Sequence, residues 1–287
     1  KQHGRPWVTR LPFPVHVVEQ VEHVEQFTGT RSVTRYAYHH GAWDPLEREF
    51  RGFGMVEQTD ADEYEEHHRG QPLIVPARRT KSWFHPGVLG LVTDLDAQFR
   101  REWTAGLPVL APHELPVGVA PELTRAAMRA LKGRALREEV FGDDLAPQAH
   151  LPFAVTQHRL RVRVLQPAHG AHPACFAVEE IEALAAHTER TLDDIRLAHT
   201  LNLDFDAYGH VLASAAIAYP RAAARRELHT RGAQGATIAV YSQHTIGNLD
   251  AADGHRLGVP IESSTWALPA LAVDAGELVT AATVRDR

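Results

Sequence analysis

Cysteine is almost absent from this sequence: Cys175 is the only one in 287 residues. An internal disulfide is therefore excluded, although the compartment cannot be inferred, because bacterial secreted proteins often have no disulfide. No window approaches the roughly 18 consecutive apolar residues of a transmembrane helix, so we predict no direct membrane insertion. The net charge is −6 and the basic residues are scattered, which argues against nucleic acid as a partner.

Catalytic signatures are also missing. There is no Gly-x-Ser-x-Gly elbow, phosphate-binding loop, Gly-x-Gly-x-x-Gly element or His-Glu-x-x-His pair. His39 and His40 are neighbours that would point to opposite faces of a strand, so they cannot easily share a metal ion. His67 and His68 follow an acidic run typical of a solvated loop. We therefore predict no catalytic residue, no metal and no cofactor.

What the sequence does contain is alternation with a period of two. Leu160 and Val162 alternate with Arg159, Arg161 and Arg163, which predicts a strand with one buried and one wet face. Residues 200–219 alternate on both sides of a polar turn and predict a β-hairpin. Further strands are predicted within residues 31–40, 236–246 and 261–268.

One helix is expected near residues 121–132. Pro121 suits the first helical position, Glu122 favours the positive end of the helix dipole, and Gly133 ends the helix. Residues 15–27 fit a helical stripe, but their valines favour a strand, and residues 179–190 are helical by propensity alone.

The chain as a whole is predicted to be mainly β, a long meandering antiparallel sheet with one short helical insert. Residues 1–70 form a signature β region, residues 71–150 a Pro-rich connection that carries the helix, and residues 151–287 meandering strands. The last residues, TAATVRDR, indicate a strand, and Lys1 stands where a Met would open a gene product. We therefore expect the sequence to be a piece of a longer polypeptide.

Residues 34–60 contain the densest group of notable side chains. The Arg51-Gly-Phe-Gly element predicts a bent strand that packs Phe50 and Phe53. The nearby charged residues Glu47, Arg48, Glu49 and Arg51 are expected to form a cross-strand ladder.

This stretch resembles the signature of the B component of the tripartite insecticidal toxin complexes (Tc toxins), in the middle, C-terminal-side region of that component. The residues that match the family pattern are Arg35, Tyr36, Tyr38, His39, His40, Gly41, Asp44, Glu47, Arg48, Glu49, Phe50, Arg51, Gly52, Phe53, Gly54, Val56, Glu57 and Gln58. The likeness extends along most of the chain and thins beyond about Arg221. The turn of the 200–219 hairpin, with Asp206 and Gly209, also resembles an Rhs/YD repeat unit.

The resemblance implies a structural role. In Tc toxins the B and C components together form a hollow β shell that encloses a toxic C-terminal cargo, and the assembly docks on a pore-forming A component. The implied partners are therefore the C and A components, and the implied location is extracellular. His39 and His40 would hold a bend or a contact between strands, and residues 179–190 would form a strand.

Two other classes of function stay open at the level of sequence. A β-rich binding module of an adhesin or polymorphic toxin would use exposed tryptophans as a platform for glycans or proteins; the candidates are Trp7, Trp43, Trp83, Trp103 and Trp266. The tryptophans are more simply explained as core residues, because large aromatics dominate burial. A hydrolase or metalloenzyme would instead gather His, Asp and Glu in space, and metal analysis would detect it.

Overall fold

The structure, a computed structural model, describes residues 11–27, 29, 31–65, 72–74, 76–88, 92–222, 232–268, 271 and 276–286. Contacts divide the chain into two units. The first unit comprises Lys1–Thr104 and Ala120–Val155, and the second comprises Ala105–Val119 and Thr156–Arg287. The tryptophan candidate Trp7 and the pair His67-His68 lie outside the described residues.

The first unit is a meander of antiparallel strands with two helices. Its elements are β1 (Gln20–Val24), β2 (Arg31–Asp44), β3 (Glu49–Glu65), β4 (Pro72–Ile74), β5 (Ala77–Phe84), α1 (Val92–Glu102), α2 (Pro121–Ala130) and β6 (Ala135–Asp143). The strand order is β1-β2-β3-β5-β6, and the short β4 also pairs with β3. Neighbours in sequence are thus neighbours in space, as short connections favour.

The second unit repeats this plan. Its elements are β7 (Ala154–Gln166, all but the first two residues), β8 (Cys175–His187), β9 (Arg196–Phe205), β10 (Val211–Ala218), β11 (Ile238–Ala251), β12 (Gly254–Ala267) and α3 (Ala281–Arg285), with a 3₁₀ turn at Ala233–Gly235. The strand order follows the chain from β7 to β12. The pairs from β8 to β12 are antiparallel, so the predicted mainly β, meandering fold is confirmed.

Each unit has its own apolar core. In the first, Met55, Trp83, Phe99 and Leu136 are buried together, with Trp103 packed against them. In the second, the buried cluster consists of Leu201, Leu203, Ala213, Ala215, Ile217, Ala239, Leu271, Val279 and Val284. Along β10 the buried Ala213, Ala215 and Ile217 alternate with the less buried Ser214, Ala216 and Ala218, as expected for a strand with one face on a core.

The helix predicted near residues 121–132 is α2. It begins at Pro121, has Glu122 in its first turn and ends before Gly133, whose φ of 76° only glycine adopts freely. Ala127, Met128 and Leu131 are buried. Helix α1 was not predicted, because it lies inside the segment interpreted as a Pro-rich connection. The described residues thus contain three short helices where one was predicted.

Three ambiguous or mistaken segments are resolved. The valine-rich stretch of residues 15–27 contains strand β1, and residues 179–187 lie on β8 as expected from the family resemblance. The prediction of a strand at the end of the chain was wrong. Thr280 caps a short helix there, accepting a hydrogen bond from the Thr283 amide, because a Thr hydroxyl satisfies an amide that a helix start leaves free. The division into segments 1–70, 71–150 and 151–287 stays a prediction.

Candidate functional site

The adjacent histidines lie at an irregularity of β2. His39 pairs with Met55 and Gly41 with Phe53, while His40 between them has a φ of 57°. This left-handed conformation is uncommon outside glycine, and it turns the His40 ring away from the ordinary alternation. The His39 and His40 ring centroids lie 6.2 Å apart and both residues line one pocket, so the opposite-face argument from a regular strand does not apply at this irregularity.

The His40 ring is bound from both sides by α1. Its Nε2 lies 3.0 Å from Glu102 Oε2, and its Nδ1 lies 3.2 Å from the Gln98 amide nitrogen. Because the Gln98 amide donates to Nδ1, Nε2 carries the proton that Glu102 accepts. Glu102 also accepts from the indole of Trp83. Burial raises the pKa of Glu102, but the hydrogen bonds from His40 and Trp83 outweigh it and hold this pKa below its usual value.

Gly54 makes the close approach of α1 possible. A Cβ at this position would stand 2.7 Å from Phe99 Cζ and 3.1 Å from His40 Cβ. The Phe99 ring also packs against the His40 ring, with centroids 5.5 Å apart. Glycine is thus required here for space, which explains one half of the Gly-Phe-Gly element.

Arg51 forms a buried ion-pair cluster at the end of the β2–β3 hairpin. Its side chain is fully buried and contacts Asp44 and Glu49, each at 2.8 Å. Lys132 and Arg129 reach Glu49 from the end of α2 at 2.9 and 3.0 Å. The cluster thereby ties α2 to the hairpin.

The pKa values within this cluster follow from its contacts. Burial raises the pKa of Asp44, but the hydrogen bonds from Arg51 and the turn amides lower it further, so the net shift is downward. The hydrogen bond from Lys132 lowers the pKa of Glu49. Both carboxylates are therefore ionised at neutral pH.

The predicted ladder of Glu47, Arg48, Glu49 and Arg51 needs correction. Glu47 and Arg48 lie in the turn between β2 and β3, where the Glu47 amide donates to Asp44 and Arg48 has a φ of 50°. Only Glu49 and Arg51 lie on a strand. Turn chemistry at Asp44 therefore replaced strand pairing, as is usual for an Asp that begins a tight turn.

The rest of the motif consists of regular strand residues and aromatics. Phe50 and Phe53 make an edge-on contact at 5.4 Å, with Gly52 between them at a φ of 94°. The other motif residues occupy paired positions of β2 and β3: Arg35, Tyr36, Tyr38, Gly41, Val56, Glu57 and Gln58. Most of the motif residues thus make contacts within one hairpin or between that hairpin and the helices beside it.

The Rhs-like turn holds two hairpins of the second unit together. Asp206 accepts hydrogen bonds from the backbone amides of Tyr208 and His210, from His210 Nδ1 at 2.9 Å and from the side-chain amide of Asn248 at 2.7 Å. Gly209 follows with a φ of 90°. Burial raises the pKa of Asp206, but these donors lower it far below its usual value. Because Asn248 lies on β11, the turn contacts the neighbouring hairpin as well as closing its own.

Sequence reasoning missed one buried polar chain. His199 on β9 lies 2.9 Å from Glu182 on β8 and 2.9 Å from the Tyr219 hydroxyl, and that hydroxyl accepts from the Val279 amide at 2.8 Å. Arg159 reaches the second oxygen of Glu182 at 3.1 Å. Burial raises the pKa of Tyr219 to about 12. No spacing in the sequence marks these residues, because they belong to separate strands and a distant segment.

Of the four described tryptophans, one is fully buried, two are half-buried and one is exposed. Trp83 is fully buried, and Trp103 packs edge-on against it at 6.5 Å. Trp43 is half-buried against Phe13, and Trp266 is 48% exposed beside Tyr241. Among the four described tryptophans, the platform interpretation therefore has one well-exposed candidate.

Within the described part of the chain, no three His, Cys, Asp or Glu side chains gather in a way that could hold a metal ion. No helix among these residues combines the length and apolarity needed to span a membrane. Cys175 is exposed.

Comparison with known protein families gives two matches. The model for the insecticide toxin TcdB middle/N-terminal region matches residues 1–87, and that for the TcdB middle/C-terminal region matches residues 126–247. The two regions together account for well over half of the chain. The chain belongs to the TcdB family of insecticide toxins. The resemblance to the Tc toxin B component is therefore confirmed, and comparison with curated proteins gives no match.

Solved structures of TcdB complexes share the fold. The TcdB2-TccC3 structure has a TM-score of 0.79 and 28% identity, covering 94% of this chain and 14% of that chain. The TcdB2-TccC3-Cdc42 structure has a TM-score of 0.80 and 27% identity over 96% of this chain. A Photorhabdus luminescens Tc holotoxin pore has a TM-score of 0.77 and 28% identity over 94%. The chain thus spans about a seventh of the TcdB proteins it matches.

Proposed function

We propose that this chain is a non-catalytic segment of the wall of a Tc-toxin shell, which encloses and delivers a toxic C-terminal cargo. The observation that carries the proposal is the long antiparallel meander of each unit, together with its similarity to TcdB2-TccC3 over 94% of the chain. A wall needs strands with two usable faces and few free edges, and consecutive antiparallel pairing supplies both. The buried ion pairs and hydrogen bonds described above all connect one strand, turn or helix with another.

The proposed partners follow from the same family membership. The C component, represented by TccC3 in the similar structures, would complete the shell and carry the cargo. The pore-forming A component would receive the assembly, and the complex would act outside the producing cell. Neither nucleic acid nor direct membrane insertion enters this proposal.

A matched pair of cysteines on one strand tests the wall role. Glu262 and Ser263 are both exposed neighbours on β12, paired regularly with Thr245 and His244. Adjacent residues on a strand point to opposite faces. In a wall, one of these two positions faces the enclosed volume and the other faces solvent.

The experiment uses the complete B–C assembly, otherwise free of cysteine, with Cys175→Ser and either Glu262→Cys or Ser263→Cys. A bulky polyethylene-glycol maleimide should label one position and not the other in the assembly, and both positions in unfolded protein. Protease protection of the cargo is measured in the same samples. Equal labelling of both positions with the cargo protected would place this strand outside the wall, and the binding-module alternative would then be preferred.

A further inference from the structure

An open pocket in the first unit lies beside the signature residues of β2. Its volume is about 850 Å³, within the range of sites that take small molecules or peptide side chains. One wall is aromatic and consists of Tyr36, Tyr38 and Phe53. The Tyr36 and Tyr38 rings lie 6.4 Å apart, and the Tyr38 and Phe53 rings lie 5.0 Å apart. The three rings therefore form a continuous surface.

A carboxylate lies beside this aromatic wall. The Tyr36 amide donates to the Glu19 carbonyl at 2.8 Å, so Glu19 and Tyr36 occupy facing positions whose side chains project on the same side, with Cβ atoms about 5 Å apart. Glu19 is exposed and lines the pocket. Among the described residues, no cation lies within ion-pairing distance of its carboxylate. A negative charge without a counter-ion thus lies beside Tyr36, at one edge of the aromatic wall.

Apart from the exposed ring of His39, the remaining lining is apolar or already hydrogen-bonded. Val15 and Val17 line the pocket on the chain that leads into β1, and Val17 is 45% exposed. At the other end, Glu102 is occupied by His40, Trp83 and Gln98. Both oxygens of Glu102 are thus already hydrogen-bonded, and among the described residues Glu19 is the pocket carboxylate that no side chain contacts.

We propose that this pocket binds an arginine side chain presented by a polypeptide partner. A guanidinium is attracted to the negative faces of aromatic rings, stacks flat on them and pairs with a carboxylate. Its aliphatic stem would lie along Val15 and Val17 while the charged head reaches Glu19. The pocket is larger than a single guanidinium group and leaves room for flanking backbone. This binding role is independent of the proposed wall function.

The test is NMR titration of the 287-residue chain with two peptides that differ only in charge. The probes are acetyl-Gly-Arg-Gly-amide and the same peptide with neutral citrulline, which has nearly the shape of arginine. The arginine peptide should shift the ring signals of Tyr36, Tyr38 and Phe53 saturably. The citrulline peptide should bind at least about fivefold more weakly, since each cation–aromatic contact contributes about 0.5–1 kcal/mol. Added salt should weaken the binding of the arginine peptide but not that of the citrulline peptide.

Matched variants separate the pocket from general surface charge. Glu19→Gln and Tyr36→Leu should each weaken binding of the arginine peptide by about fivefold. Tyr36→Phe keeps the ring and should bind the peptide with unchanged affinity. Glu262→Gln removes an exposed carboxylate on β12 in the second unit and should change nothing. Equal affinity for both peptides, shifts confined to other residues, or equal weakening by Tyr36→Phe and Tyr36→Leu would overturn the proposal.

Discussion

His199 on β9 contacts Glu182 and Tyr219 at the same time, with its Nε2 2.9 Å from Glu182 and its Nδ1 2.9 Å from the Tyr219 hydroxyl. All the hydrogen-bonding capacity of a neutral imidazole is thereby used inside the second unit. The Tyr219 hydroxyl donates to Nδ1 and accepts from the Val279 amide. One hydroxyl therefore connects β9 with the segment that leads into α3.

Removal of that hydroxyl should destabilise the chain. In Tyr219→Phe, His199 Nδ1 and the Val279 amide both lose a partner while they stay buried, so we expect a loss of about 1–3 kcal/mol in the free energy of unfolding. The control is Tyr208→Phe, because the Tyr208 hydroxyl contacts Asp250 at an exposed site; it should change stability by less than about 0.5 kcal/mol. Urea unfolding of both variants measures the difference, and equal effects would contradict it.

Arg51 should be far more important for stability than an exposed arginine of similar geometry. Arg51→Met leaves Asp44 and Glu49 without their buried partner, and breaking such a pair costs about 3–5 kcal/mol. Arg78 contacts Asp60 at 2.6 Å but is 64% exposed, so Arg78→Met should cost less than about 1 kcal/mol. Thermal and urea unfolding report both values. A small loss of stability in Arg51→Met would show that water or Lys132 compensates the charge of Glu49.

The sequence predicted what depends on local pattern and missed what depends on contacts between distant residues. Arg159, Arg161 and Arg163 alternate with Leu160 and Val162, so β7 could be recognised without any partner strand. Nothing local marks His199 as the partner of Glu182, since tertiary pairing alone brings them together.

The helices too were predicted where a local pattern marks them and missed where none does. Pro121 and Gly133 delimit α2 in the sequence, whereas α1 has neighbouring prolines that suggested a connection. At the end of the chain, Thr283 and Val284 favoured a strand, but the Thr280 cap and burial of Val284 stabilise a helix. Within the signature motif, Gly54 could be interpreted as a bend but not as the site of contact with Phe99, which is 45 positions away in the chain.

The contact between Gly54 and Phe99 predicts a steric effect that a second change relieves. Gly54→Ala places a methyl group 2.7 Å from Phe99 Cζ, and overpacking of this kind costs about 1–3 kcal/mol. Phe99→Leu alone should also destabilise, because Phe99 is buried. In the double variant the shortened side chain makes room, so the combined loss should be smaller than the sum of the single losses. Strict additivity in urea unfolding would contradict direct contact.

Acid should weaken the hydrogen bonds that the Asp206 carboxylate accepts in the Rhs-like turn. Hydrogen bonds from His210, Asn248 and the turn amides lower the folded-state pKa of this carboxyl below its unfolded value. Its contribution to stability is therefore complete above the unfolded pKa of about 4 and is lost as the pH falls through the folded value. Asp206→Asn cannot ionise, and at pH 7 it should be less stable than the wild type by about 1 kcal/mol.

The decisive measurement is the difference in unfolding free energy between the wild type and Asp206→Asn from pH 7 to pH 2. This difference should shrink as the pH falls, because protonation removes from the wild type what the substitution has already removed. Glu182, Glu102 and Asp44 also have lowered pKa values, but they are present in both proteins and cancel. A difference that stays constant with pH would mean that the Asn248 contact depends on shape rather than on the charge of Asp206.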